Sequence, residues 1–444
     1  MLDKILNNKL SLIIIHLVFG FLGTLPLFPK ILGFLSIVLP IYIIYVKQNK
    51  NDEALYLMGY LVGSEVFMRM TNGTFLYETG KYGVMLFALM GLFLGPIKQK
   101  STVSFLLYIL LLIVGILFTQ TPENESIRKA VVFNLSGPIT LGVVAIYCYK
   151  RTVTVTQLKQ LLLFCVLPIF SMISYVYFRT PNLEELVFGA VSNFDTSGGF
   201  GPNQVSTIIG FGCFILAVFL FLGNKLTSYI FLDAIFLIYF IYRGLLTFSR
   251  GGMITAAVVF IFFTIFMFLY QQVTFIKISK FIFIAVVLFF GIWLYTSNIT
   301  GGMIDNRYAG KNSLGVKKKD VTAGRGEILK TQIESFYESP IFGIGVGNGK
   351  YKRLESDKHV TAASHNEVGR LIEEHGLLGI ISLLILILVP LQNAYFSNNY
   401  QRAFLFSFYI FWFLTINHTA MRIVFPSFIY GLSLLKIVPD TDES

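Results

Sequence analysis

The sequence predicts an all-α polytopic membrane protein, and three observations carry that prediction. Charged residues make up 13% of the chain and hydrophobic ones 55%, whereas a soluble globular chain carries about 25% charged residues. Apolar runs long enough to cross a bilayer recur along nearly the whole length, and helices satisfy every backbone group within such runs. Runs such as AVVFIFFTIFMFLY (257–270) are continuous, without the alternation that marks a transmembrane β-barrel.

Hydropathy places about fourteen spans. They centre on 10–26, 31–46, 54–68, 82–97, 103–119, 128–148, 160–178, 204–222, 227–246, 252–270, 279–296, 377–395, 402–417 and 422–437. One or two of these read as re-entrant or interfacial, which leaves about 12–14 crossings. The first follows Lys4 and Lys9 without a small-residue cleavage site and reads as an uncleaved helix.

With the N-terminus in the cytoplasm, the inner connectors are VKQNK (46–50), IKQKS (97–101), YKRTVTVTQLK (149–159), GNK (223–225) and IKISK (276–280). Their lysines obey the positive-inside rule. The outer connectors, TQTPENES (119–126) and the stretch 179–203, carry the acidic and polar residues. The same parity puts the one long hydrophilic segment outside. The chain thus divides into an N-terminal bundle (1–296), a large outer loop (297–376), and three final spans with an acidic inner tail, DTDES (377–444). The net charge of +11 sets orientation and does not imply a nucleic-acid partner. Cys148, Cys165 and Cys213 lie inside apolar runs without partners at metal spacing and read as core residues.

Within the outer loop, GKNSLGVKKKD (310–320) reads as surface. Gly326–Ser339 reads as an amphipathic helix with Ile328, Ile333 and Phe336 on one face. Pro340 ends that helix, and GIGVGNG (343–349) forms a glycine-dense turn.

Arginines gather at the outer ends of these elements: Arg243 and Arg250 in YRGLLTFSRGG, Arg325 in AGRGEILK, then Arg370 and Arg422. A guanidinium is a permanently charged fork suited to phosphate, and several on one cavity would suit a diphosphate. The other account is interfacial anchoring or pairing with nearby glutamates. In SRGG the serine caps a helix and the glycines admit a close neighbour. GGFGPNQVS (198–206) has Pro202 to start a helix and Asn203 and Gln204 as neutral donors. Glu65 and Arg69, four residues apart, satisfy each other inside an early span.

Ser364-His365-Asn366-Glu367 fits the S-x-x-E capping box, with Ser364 as N-cap and Glu367 at the third helical position. His365 then opens the helix, where the dipole and nearby arginines favour a neutral imidazole, a competent general base near pH 7. The same helix end favours a bound anion. Arg370 with Glu367, Glu373 and Glu374 reads as an ion-pair ladder, and His375 as a cap before a break at Gly376. His16, His359 and His418 stand without clustered partners. No metal signature and no nucleotide fingerprint is present, so an enzyme here would work without metal or cofactor on an already activated donor.

Taken together, GGFGPNQVS, FSRGG, GRGEILKTQIESFYESPIFGIGVGNG and SHNEVGRLIEEHGLLG resemble the O-antigen ligase and polymerase superfamily of bacterial envelopes. Arg325 leads to the P-x-x-G-x-G turn at Pro340, Gly343 and Gly345. His365-Asn366 follows, and then E-x-G-x-x-G at Glu374, Gly376 and Gly379. Leu329 stands where the family usually has tryptophan, and Gly369 where it often has leucine. The resemblance spans roughly residues 195–385. It implies a GT-C-like glycosyltransferase of the bacterial inner membrane, acting on the periplasmic side. Its donor would be a glycan on undecaprenyl diphosphate, and its acceptor a glycan, lipid or protein. Arg325 and Arg250, with Arg243, Arg370, Asn203 and Asn366, would hold donor diphosphate and glycan, and His365 would act on the acceptor hydroxyl. A ligase, passing the glycan to a lipid A core, is the first expectation. A polymerase, extending the next repeat unit, is the second, and a polysaccharide transporter or flippase is the alternative of a different class.

Overall fold

The computed structural model describes residues 8–123, 125–270, 273–318, 324–355 and 364–440. Lys319, Asp320, His359 and the tail beyond Asp440 lie outside the described residues. Helices account for nearly all regular structure. In order they are α1 (Lys9–Leu22), α2 (Phe28–Lys47), α3 (Glu53–Met70), α4 (Thr79–Leu94), α5 (Ser104–Val114), α6 (Ile127–Cys148), α7 (Val155–Arg179), α8 (Pro202–Leu222), α9 (Ile230–Leu246), α10 (Arg250–Leu269) and α11 (Phe275–Ile299). The loop region holds α12 (Met303–Tyr308), α13 (Arg325–Glu338) and α14 (Gly349–Glu355), and the chain closes with α15 (Glu367–Tyr395), α16 (Asn399–His418) and α17 (Phe425–Leu432). Seven of these are long and apolar enough to cross a bilayer: α2, α6, α7, α8, α10, α11 and α15.

Every predicted span meets a helix, and the last departs most from expectation. At eight residues, α17 rises about 12 Å at 1.5 Å per residue, too short for a hydrocarbon core of about 30 Å. The chain reaches it through a non-helical stretch, 419–424, that is mostly buried within protein. Irregular backbone at membrane depth persists only where protein supplies its partners. Here Glu65 accepts from the Val424 N–H at 2.7 Å, and Arg69 donates to the Arg422 carbonyl at 2.9 Å. The expected Glu65–Arg69 pair forms at 2.8 Å, but it belongs to a larger network in which Lys81 joins Glu78 at 2.7 Å and Arg69 lies 3.8 Å from Glu78. After α17 the chain pairs as a short parallel strand, β2 (Lys436–Val438), with β1 (Thr152–Thr154). Both strands lie at the end opposite the long loop. All three cysteines are buried and free.

The loop region packs onto the bundle. α13 occupies the predicted place with a different face inward. Ile328, Thr331, Gln332 and Ser335 are buried, whereas Ile333 is 47% exposed. The face of α15 that it meets presents Gly369 and Glu373, against which Gln332 and Ser335 lie. A polar partner selects the polar stripe.

Candidate functional site

Two of the quoted blocks form one structure. Pro202 opens α8, and Ser249 occupies the N-cap position of α10. The Ser249 hydroxyl does not turn back to its own helix. It donates sideways to Asn203 Oδ1 at 2.8 Å, while the Ser206 hydroxyl donates to the Ser249 carbonyl at 2.8 Å. Gly252 makes this possible, since a β-carbon there would run into the Ser206 backbone, and 2.5 Å separates the Gly210 β-position from the Gly252 carbonyl. Two helix N-termini, each with positive partial charge, therefore lie side by side. His418, at the end of α16, closes the third side: its Nε2 is 3.2 Å from Thr207 Oγ1, and its ring covers Gly251.

Arg250 stands at the first turn of α10, beside this junction. Its charge acts on Arg325, at the start of α13, and on Arg307, in α12. Partial desolvation and the Arg250 charge hold the Arg325 guanidinium below its ordinary pKa. Burial comes first for Arg307, followed by Arg250, and Arg325 adds to the same downward shift. Among the described residues, none of the three arginines forms an ion pair with a carboxylate. Arg307 is anchored by neutral groups, donating to the Phe248 carbonyl at 2.9 Å and the Ser192 hydroxyl at 3.2 Å. Like charges gathered without counterions raise the energy of the empty protein, and a bound polyanion would offset them.

His365 enters the same field, but not from the expected position. The helix N-cap is Asn366, whose side chain accepts from the Gly369 N–H at 3.1 Å. The Ser364 hydroxyl instead spans the turn before it, accepting from the Asn366 N–H at 3.1 Å and donating to the Asn366 carbonyl at 3.0 Å. The capping box does not form because Glu367 points forward to Arg370. His365 thus precedes the cap rather than opening the helix. Its carbonyl accepts from Ala420 N–H at 3.0 Å, which ties it to the irregular 419–424 stretch. Its Nδ1 is buried and has no hydrogen-bond partner among the described residues. Burial lowers the imidazole pKa most, and Arg422, Arg325 and His418 push it further, to about 4. His365 is neutral at pH 7; nearby arginines contribute as anticipated, but burial rather than the helix dipole is the largest cause.

The remaining blocks build the frame. α15 kinks at Gly376, where φ 59° and ψ −134° leave the helical region and favour glycine. The kink exposes the carbonyls of Glu373 and Glu374. Ile344 and Gly345 of the glycine-dense turn fill them with N–H donors at 3.0 and 3.1 Å, and Leu377 N–H returns to the Pro340 carbonyl at 2.7 Å. The P-x-x-G-x-G turn and the E-x-G break are two halves of one joint. His375 does not cap it. Its ring is fully buried against Gly115, and neither nitrogen has a partner among the described residues.

Two expected ligand arginines are engaged elsewhere. Arg370 is buried between Glu367 and Glu374, the latter at 2.6 Å, so the ladder accounts for its fork. Arg243, 3% exposed, donates to Thr180 Oγ1 at 2.5 Å and to the Val176 carbonyl at 3.2 Å. It pins α9 to the end of α7. Arg370 is thus spent on carboxylates, whereas Arg243 is bonded through one terminal nitrogen and its Nε has no partner among the described residues. Conversely, Arg307 was not anticipated: it lies among the loop residues 301–319 and no motif marks it. Nothing in the sequence set it apart, since the same loop holds many other lysines and arginines. His418 is recovered from the unassigned histidines by proximity alone.

Residues 234–384 match the family model described as O-antigen ligase. The match opens within α9 and ends within α15, so it contains Arg250, Arg307, Arg325 and His365. No curated protein matches the chain. Over those residues the chain is similar to the O-antigen ligase family.

Proposed function

We propose that the protein is an O-antigen ligase-like, metal-independent glycosyltransferase that moves a glycan from undecaprenyl diphosphate to an acceptor hydroxyl, of lipid A core or a similar acceptor, at the periplasmic face of the inner membrane. The observation that carries this reading is the group of Arg250, Arg307 and Arg325, which act on one another without a carboxylate among the described residues.

In this reading Arg250 and Arg325 bind the donor diphosphate, with Arg307 adding charge behind them. The acceptor oxygen attacks the anomeric carbon from the face opposite the leaving group. The carbon–oxygen bond to the diphosphate breaks, the configuration inverts, and undecaprenyl diphosphate leaves with the bonding electron pair. The acceptor proton passes to His365. A base with a pKa of about 4 is fully available at pH 7 but accepts a proton weakly. Donor binding corrects part of this, because the diphosphate charge opposes the field of Arg325 and raises the imidazole's proton affinity. Removal of charge from the departing diphosphate falls to the same arginines that bound it.

Complementation of a deletion strain tests the reading. Arg325→Ala and His365→Ala should fail to restore the surface glycan while being present in the membrane at normal levels; full restoration by either would end it. The deletion phenotype separates the two branches of the superfamily: unlinked long chains on carrier lipid mark a ligase, single repeat units a polymerase.

A further inference from the structure

A second space lies beside Ser364, and its lining includes none of Arg250, Arg307 and Arg325. It is a cavity of about 340 Å³ between α6, α14 and the first turns of α15, within reach of Arg422. This lies at the small end of the range for small-ligand sites, about 300–1,000 Å³, and suits a monosaccharide unit rather than a long chain. Its walls differ in kind from the arginine group. Cations here face carboxylates: Arg370 between Glu367 and Glu374, Arg353 with Glu373 at 3.3 Å, and Lys350 with Glu125 at 3.3 Å. With Lys129 and Arg422 added, the lining sets five cations against four carboxylates, a single excess charge and too little to match a diphosphate. It offers many hydrogen-bond acceptors and donors, together with two aromatic faces, half-buried Tyr351 and exposed Phe133. Burying ion pairs is costly, and apolar packing of equal volume is often as stable. A polar lining held around an unfilled space therefore points to a ligand with hydroxyl groups.

We infer that this cavity binds a neutral sugar ring of the acceptor glycan, delivering its hydroxyl to His365 from the side opposite the donor. The inference rests on the glycosyltransferase reading. His365 stands at the edge of the cavity: its chain neighbour Ser364 lines it, as does Ala420, whose N–H donates to the His365 carbonyl at 3.0 Å. The aromatic faces supply stacking and the paired carboxylates accept hydroxyl protons.

The test uses the full-length protein in nanodiscs, with carrier-linked glycan and acceptor both extracted from the deletion strain. Phe133→Ala and Tyr351→Ala remove the two rings, which lie beside Arg422 and Lys350, and leave the buried ion pairs in place. Each should raise the KM for acceptor about tenfold, with the donor KM and kcat within about twofold. A rise in donor KM instead would assign the cavity to the donor glycan and overturn the inference. Unchanged kinetics in both variants would also overturn it. Arg325→Ala, assayed alongside, reports on the underlying reading separately: if it transfers glycan normally, the glycosyltransferase assignment itself fails.

Discussion

The Ser249 hydroxyl donates to Asn203 Oδ1 at 2.8 Å, and through this bond the starts of α8 and α10 are held in fixed register beside Arg250. Asn203 is therefore a positioning residue as much as a ligand candidate. Asn203→Ala removes one partly buried hydrogen bond, worth about 0.5–1.5 kcal/mol, and should leave the protein folded. Transfer activity should fall by more than that energy implies, about tenfold or greater, because Arg250 loses its reference point. Activity and thermal midpoint measured on the same preparation decide it.

Arg250, Arg307 and Arg325 repel one another in the empty protein. Arg325→Ala should thus be neutral or slightly stabilising, within about 0.5 kcal/mol, while kcat/KM for the donor falls about a hundredfold. Arg325→Lys keeps the charge without the fork and should restore only part of the loss. A destabilised Arg325→Ala protein would mean that the residue serves the fold.

For His365 the sign runs with acid. Its folded pKa, about 4, lies below the ordinary 6.5, so acidification protonates the unfolded chain first and this group erodes stability as pH falls from about 6.5 towards 4. In kcat/KM, which reports the free enzyme, the acid limb should lie near pH 4–5. In kcat, with diphosphate bound, it should move upward. An acid limb in kcat/KM at pH 6.5 or above would contradict the environment described for the imidazole.

Arg370 separates fold from function in the opposite way. Arg370→Met strands Glu367 and Glu374 in a buried site, a loss of about 3–5 kcal/mol. The expected outcome is a drop in folded protein in the membrane before any kinetic change is measured. Arg370→Lys cannot reach both carboxylates with one ammonium and should be little better.

At Gly376 the backbone stands at φ 59°, ψ −134°, and a β-carbon would lie 2.6 Å from Gly343 N and from the Pro340 carbonyl oxygen. Gly376→Ala carries about 1–3 kcal/mol of backbone strain, with collision added. It should lower the thermal midpoint sharply and expose the loop region to protease.

By itself the sequence determined the class, the succession of spans, the long polar loop before the last of them, and the blocks from which the candidate site is built. These are legible because hydropathy, proline, glycine and serine act through near neighbours: a helix starts at Pro202, another at Arg250, and one breaks at Gly376 whatever lies beyond. What each guanidinium faces was decided only by the tertiary structure. Arg243 and Arg250 share one short segment, yet Arg243 donates to the Thr180 hydroxyl and the Val176 carbonyl at the end of α7, and Arg250 acts on Arg307 and Arg325. The capping box at Ser364 failed for a similar reason, since Glu367 found Arg370 a stronger partner than its own N-cap backbone. A fork's partners come from any distance along the chain, and no local pattern records which of them arrive first.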